Sequence, residues 1–150
     1  MSVLMAALMA GQAAAADVAA VERYLSAYEA QDSKAMAQTL SADFVYYDYP
    51  RQVRYETSKA FISALEGYLA SQVERGVSVT VVHACSAFDA RGRTGGPSLL
   101  LCDHRSVYAG GDAAREEHFA AIYGVKNGKI ALIERLGDLS PRPGAVASEE

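Results

Sequence analysis

The sequence predicts an α+β domain in which three helices pack in the concave face of a curved, mainly antiparallel sheet, leaving a cone. Three observations lead there. In the first half of the chain apolar residues recur every three to four positions in three segments, the spacing of a helix stripe. In the second half, four long runs rich in β-branched residues alternate with glycine-containing turns, the mark of an antiparallel meander. The chain has 150 residues, enough for a single two-layer core and too few for a second domain.

The first helix is expected over 17–31, with Val18, Val21, Leu25 and Tyr28 on one stripe. Asp32 suits an N-cap for a shorter second helix over 33–40, which turns Met36 and Leu40 inward. A strand follows over 43–49, and Pro50, Arg51 and Gln52 turn the chain. Thr57 or Ser58 can cap a third helix with Phe61, Leu65, Tyr68, Leu69 and Val73 as its stripe, and Gly76 ends it. Strands are expected over 77–88, 98–108, 116–125 and 129–136. A polar loop at 91–97, a turn at 109–112 and the Asn127-Gly128 pair join them. The tail 140–150, with Pro141, Pro143 and Gly144, is expected to be disordered.

Composition narrows the function. Hydrophobic residues make up 51% of the chain, but alanine alone accounts for 28 positions, so the core is thinner than that share implies. The net charge is −4 and basic residues are scattered singly, which excludes nucleic acid as the main partner. No apolar run is long enough to span a bilayer, so no membrane role is expected. Residues 1–16 carry no charge and end in an alanine run that suits a cleavage site before Asp17. They read as a flexible extension or a signal peptide. The missing Lys or Arg speaks against a signal, so a cytoplasmic location is expected, with export as the alternative.

Hairpin geometry then selects residues. In an antiparallel pair, facing positions are set by the turn and alternate residues share a face. A loop centred at Arg93 and Thr94 sets Cys85 opposite Cys102 and His83 opposite His104, all on one face. A turn centred between Gly110 and Gly111 sets Glu117 opposite His104 and continues that face through Phe119, Ala121 and Tyr123. The Asn-Gly hairpin adds Leu132, Glu134, Leu136 and Asp138, with any one-residue bulge flipping part of the set. On the other face Asp103 can pair with His118 and Arg105 with Glu116. That face also carries Val82, Phe88, Leu99, Leu101, Val107, Ile122 and Ile133, an apolar surface expected to form a homodimer. Cys85 and Cys102 can be buried thiols or a cross-strand disulfide. No metal is expected, since these cysteines and histidines lie on a flat face at spacings that suit a tetrahedron poorly.

The order of elements, with VERYLSAYEAQD (21–32), FVYYDYP (44–50) and VKNGKIALIERLGD (125–138), resembles the nuclear transport factor-type, SnoaL-like superfamily over about residues 17–139. That superfamily holds ketosteroid isomerase, scytalone dehydratase, limonene epoxide hydrolase and polyketide cyclases. The resemblance implies a cystatin-like cone. It matches Tyr24 to the catalytic tyrosine of the isomerase and Asp48 to its general base, and puts Ala121 where that enzyme has a second oxyanion acid. It matches His83 to a pocket histidine of the dehydratase, with His104 near the second. Arg135 stands where the epoxide hydrolase has an aspartate.

The expected activity is that of a cofactor-free enzyme, an isomerase, dehydratase or cyclase acting on a small hydrophobic carbonyl compound by acid/base proton transfer. Asp48, set among tyrosines, is the candidate base. Tyr24, His83 and His104 are candidate acids or oxyanion donors. Tyr28, Tyr46, Phe61, Cys85, Cys102, Glu117, Phe119, Ala121 and Glu134 are expected to line the substrate pocket. The alternative is a non-catalytic member of the same fold that binds a small molecule or serves as a dimerisation module.

Overall fold

The computed structural model describes residues 2–88, 96–111 and 114–138, with side chains from residue 15 onward except at 88 and 138. The element order is α1 (Ser2–Glu29), α2 (Ser33–Thr39), β1 (Leu40–Asp48), β2 (Val53–Tyr55), α3 (Ser58–Glu74), β3 (Ser78–Phe88), β4 (Ser98–Ala109), β5 (Arg115–Lys126) and β6 (Lys129–Asp138). One curved, open sheet runs β2-β1-β6-β5-β4-β3. Only β1 and β6 pair in parallel, and every other neighbour is antiparallel. The three helices lie in its concave face, so the α+β class with a mainly antiparallel sheet is the observed one.

Local signals explain most of the boundaries. Asp32 caps α2 by accepting from the Ala35 N–H at 2.9 Å, and Thr57 caps α3 by accepting from the Ala60 N–H at 3.1 Å. Gly76 ends α3 at φ 67°, a conformation that costs a residue without Cβ least. α1 begins earlier than the predicted 17, at Ser2, because the alanine-rich segment before Asp17 continues the helix at little entropic cost. The structure adds β2, whose three residues are too few for an alternation to show in the sequence. The tail 140–150 and most of the loop 91–97 lie outside the described residues.

The core sits between α1, α3 and the sheet: Val21, Leu25, Met36, Phe44, Phe61, Leu69, Leu100 and Ile130 are buried there. On α3 the inward stripe takes Ile62 and Gln72 in place of the predicted Val73, which is 58% exposed. Gln72 accepts from Gln31 Nε2, which also donates to the Val77 carbonyl, so a polar plug closes the joint between α1, α3 and β3. The free edge of β3 is partly satisfied by Glu29, whose carboxylate accepts the Val81 N–H at 2.6 Å.

Register decides which side chains meet. His83 faces His104 and Cys85 faces Cys102 as the first hairpin predicts, and the two cysteines form a disulfide. The second hairpin is shifted by two residues: His104 faces Phe119, and Glu117 faces Ser106 rather than His104. Gly110 and Gly111 are not a tight hairpin tip. They pack instead on the end of α3. A Cβ on Gly110 would collide with the Gly76 carbonyl oxygen, and one on Gly111 would come within 2.7 Å of that of Arg75. A shift of two keeps the face, so Glu117 still points inward.

The third hairpin starts in the predicted register, Lys126 to Lys129 and Val125 to Ile130, and then slips by one. Gly124 pairs with Leu132, Tyr123 with Ile133, and Ala121 with Arg135. A second one-residue slip, at Leu136, precedes the pairing of Ala120 with Gly137, and the bulged residue of the first slip is Ala131. Beyond it Ile133 and Arg135 turn to the concave side, while Leu132 and Glu134 turn away, which corrects the expectation for Glu134 and the outer placement of Ile133. Gly124 makes the slip possible, because a Cβ there would lie 2.9 Å from Leu132 Cβ and 3.3 Å from Pro97. Gly124→Ala is therefore expected to cost about 1–3 kcal/mol in urea unfolding. A change within experimental error would show that the bulge does not depend on this close approach.

On the convex side the two predicted pairs are present: His118 Nε2 lies 2.6 Å from Asp103 Oδ1, and Arg105 Nε lies 2.9 Å from Glu116 Oε1. Val82, Leu101 and Val107 are exposed on that side. Among the described residues no helix is long and apolar enough to cross a membrane.

Candidate functional site

The cone encloses a cavity of about 370 Å³ between α1, α3 and the sheet, in the size range of small-molecule sites. Tyr24, Leu25 and Tyr28 reach it from α1, and Phe61, Leu65 and Tyr68 from α3. Tyr46, Asp48 and Arg51 come from β1 and its turn, and Tyr55 from β2. His104, Ser106 and Tyr108 project from β4, Arg115, Glu117, Phe119, Ala121 and Tyr123 from β5, and Ile133 and Arg135 from β6. The wall is thus rich in aromatic rings, with five charged side chains set into it.

Asp48 ends β1 with its side chain turned inward, one alternation after Tyr46 and two after Phe44. It is 1% exposed. Its Oδ1 accepts the Arg51 backbone N–H at 3.1 Å, and its Oδ2 accepts from the Tyr46 hydroxyl at 3.3 Å, with Arg51 Nε at 3.9 Å. The turn at Pro50 therefore holds the carboxylate from below, while Tyr46, stacked on Phe61 at 4.8 Å, walls it from the helix side. Burial and the Asp48 charge push Tyr46 up to about 12, so it stays a protonated donor at neutral pH.

His104 sits at the centre of the β4 wall, 0% exposed, with Phe119 at 5.1 Å and Tyr123 at 5.4 Å between ring centres. Neither ring nitrogen meets a hydrogen-bond partner among the described residues. Burial, and next the neighbouring His83, push its pKa down to about 4, so the ring is neutral near pH 7 with one N–H to donate and one nitrogen to accept. Tyr24 is buried against Tyr123, and desolvation holds its hydroxyl protonated far above neutral pH.

At the other end, Tyr28 and Tyr108 share a hydrogen bond of 2.9 Å. Arg115 stacks on Tyr108 at 4.1 Å, donates to the Tyr68 hydroxyl at 2.7 Å and to Glu117 at 3.3 Å. Between the two ends lies Arg135, its guanidinium 4.2 Å over the Phe119 ring and 3.9 Å from Glu117.

Tyr24, Asp48, His104, Tyr28, Tyr46, Phe61, Glu117, Phe119 and Ala121 are thus brought together around one space. Four of the expected residues are not. His83 lies on the edge strand, beside Glu22 at 3.9 Å, and its ring centre is 6.3 Å from that of His104. Cys85 and Cys102 are bonded to each other and pack with the apolar core rather than line the cavity. Glu134 is turned outward by the bulge and accepts from Tyr49 at 3.4 Å. Arg115, Ser106, Tyr108 and Tyr55 were not singled out from the sequence, and Arg135 entered only as the residue standing where the epoxide hydrolase has an aspartate. Parity alone placed Ser106, Tyr108 and Arg115 on the right face, and the strand-interior Gly124 was the available signal for the bulge that exposes Arg135 to the cavity.

A family model described as a SnoaL-like domain matches residues 21–133. Among solved structures, the chain is similar to an LEH-like epoxide hydrolase of Mycobacterium tuberculosis, with a TM-score of 0.61 and 19% identity, covering 81% of this chain and 82% of that one. It is similar to a proposed isomerase of Bacillus subtilis, with a TM-score of 0.60 and 9% identity over 80% and 84% of the two chains. It also resembles a proposed polyketide cyclase of Xanthomonas campestris pv. campestris, with a TM-score of 0.58 and 18% identity over 83% and 91%. Identities this low carry likeness of fold alone. A search among curated proteins finds no match.

Proposed function

The chain belongs to the SnoaL-like domain family, and from that premise we propose that its cavity performs acid/base proton transfer on a small hydrophobic carbonyl compound, as an isomerase, dehydratase or cyclase. The observation that carries the reading is Asp48: a carboxylate 1% exposed, held by one backbone N–H and one phenol, opening on an aromatic cavity. A carboxylate so placed is pre-positioned to take a proton from the carbon beside a carbonyl, with little water to compete. The electron pair released moves onto the carbonyl oxygen, where neutral His104 and the protonated Tyr24 are the donors available to stabilise it. Return of the proton to another carbon isomerises the compound. Loss of a β-hydroxyl as water dehydrates it, and attack of the enolate on a second carbonyl cyclises it.

A second reading, binding without turnover, draws on Ala121, which lines the cavity with no group to donate. Planar fluorescent naphthols, whose naphtholate mimics an enolate, distinguish the two. Under the proposal, the Asp48→Asn variant binds them more tightly than the wild-type protein across pH 6–9, about tenfold or more, because the negative charge beside the oxyanion position is gone. Equal affinity in both proteins favours the binding module.

A further inference from the structure

Arg135 has little to do within the protein. It is 14% exposed, and its only described ion pair, with Glu117, is loose at 3.9 Å and shared with Arg115. Its Nε meets no acceptor among the described residues. A guanidinium carries five N–H donors and keeps its charge at any working pH, so burying one with so few acceptors is costly. Its face rests on the Phe119 ring at 4.2 Å, which fixes the plane of the fork without using any donor.

The charge of the wall points the same way. The cavity is lined by Arg51, Arg115 and Arg135 against Asp48 and Glu117, a surplus of one positive charge to which the neutral His104 adds nothing. Arg51 is 65% exposed and sits at the mouth beside Asp48, while Arg115 is engaged with Glu117 and Tyr68. The surplus is therefore localised on Arg135. Room exists for a ligand group there, because its cross-strand partner on β5 is Ala121, the smallest side chain on that wall, with Asp48 its partner on β1.

We propose that the cavity takes a molecule bearing one carboxylate on an otherwise apolar, planar body, and that the Arg135 fork binds that carboxylate. A planar carboxylate matches the fork in geometry and charge. Arg135 leans over β5 onto Phe119, while Asp48 is its neighbour on β1, so the anion and the reacting carbon lie side by side along one wall of the cavity. This deepens the proposed function by naming its substrate class, an oxo acid, and it rests on the reading of the cavity as a small-molecule site.

The test compares 2-naphthoate with methyl 2-naphthoate by fluorescence titration at pH 7. The wild-type protein is expected to bind the acid at least tenfold more tightly than the ester. In Arg135→Met that preference disappears while the ester binds within about threefold of wild type, and in Arg51→Met the preference stays. Equal binding of the two probes by the wild-type protein, no binding of either, or a preference that survives in Arg135→Met overturns the proposal. Should Arg135→Met fail to fold, arginine-labelled wild-type protein supplies the second measurement. The Arg135 Nε–H resonance is expected to move on adding the acid and not the ester, and an unmoved resonance overturns the assignment. Because the readout is binding, loss of the proton-transfer reading at Asp48 leaves this result intact, and Asp48→Asn is expected to keep the preference for the acid.

Discussion

Asp48→Asn is expected to slow exchange of the α-hydrogens of small ketones and oxo acids in D2O by about 100- to 10,000-fold, the range a positioned base supplies. The substitution keeps shape and burial. The amide oxygen can still accept the Arg51 N–H now bound at 3.1 Å, and the Tyr46 phenol keeps its stack on Phe61. What it removes is the lone pair that takes the proton. Proton NMR follows the α-resonance directly, so the measurement does not depend on knowing the natural substrate. A circular dichroism spectrum unchanged from wild type confirms that the fold survived. Exchange at the wild-type rate in the variant would remove Asp48 from the mechanism.

His104 gives the second large effect, on stability rather than rate. Desolvation, then His83, lowers its pKa from 6.5 to about 4 in the folded protein. Between those values the unfolded chain binds the proton and the folded chain does not, so acid favours unfolding. Its contribution is fully present above the unfolded value and is lost as pH falls from 6.5 toward 4, on the order of 3 kcal/mol in all. His104→Phe keeps an aromatic ring against Phe119 and Tyr123 and removes the titration. Urea unfolding at pH 7, 5.5 and 4.5 is expected to show the wild-type protein losing more stability than the variant over this range. The carboxylates contribute equally to both proteins and cancel in the difference. Parallel profiles would mean that His104 is not held neutral by burial.

These two residues were accessible from sequence for different reasons. Asp48 stands out because a carboxylate among Tyr46, Tyr47 and Tyr49 on a strand must face either water or an apolar wall and because the family resemblance matches it to a general base, while the structure, in which it shares its face with Phe44, chooses the wall. His104 follows from hairpin symmetry with His83, which the structure reproduces. The same symmetry overreached at His83, Cys85 and Cys102. Sharing a face does not mean sharing a cavity: the sheet's concave side continues past the cavity into packed core and out to an edge strand.

By itself the sequence determined the α+β order, the caps of α2 and α3, the first hairpin's register and the inward face of β4 and β5. Each of these depends on residues close in the chain or on a strict period of two, and such patterns are written locally. Only the tertiary structure decided how far the second turn extends, which cysteines and histidines reach the cavity, and which side of β6 faces it. A single extra residue at Ala131, admitted because Gly124 lets Leu132 close in, exchanges Glu134 for Arg135 in the wall. Whether a strand slips by one depends on the neighbour it packs against, and that neighbour is chosen by the fold.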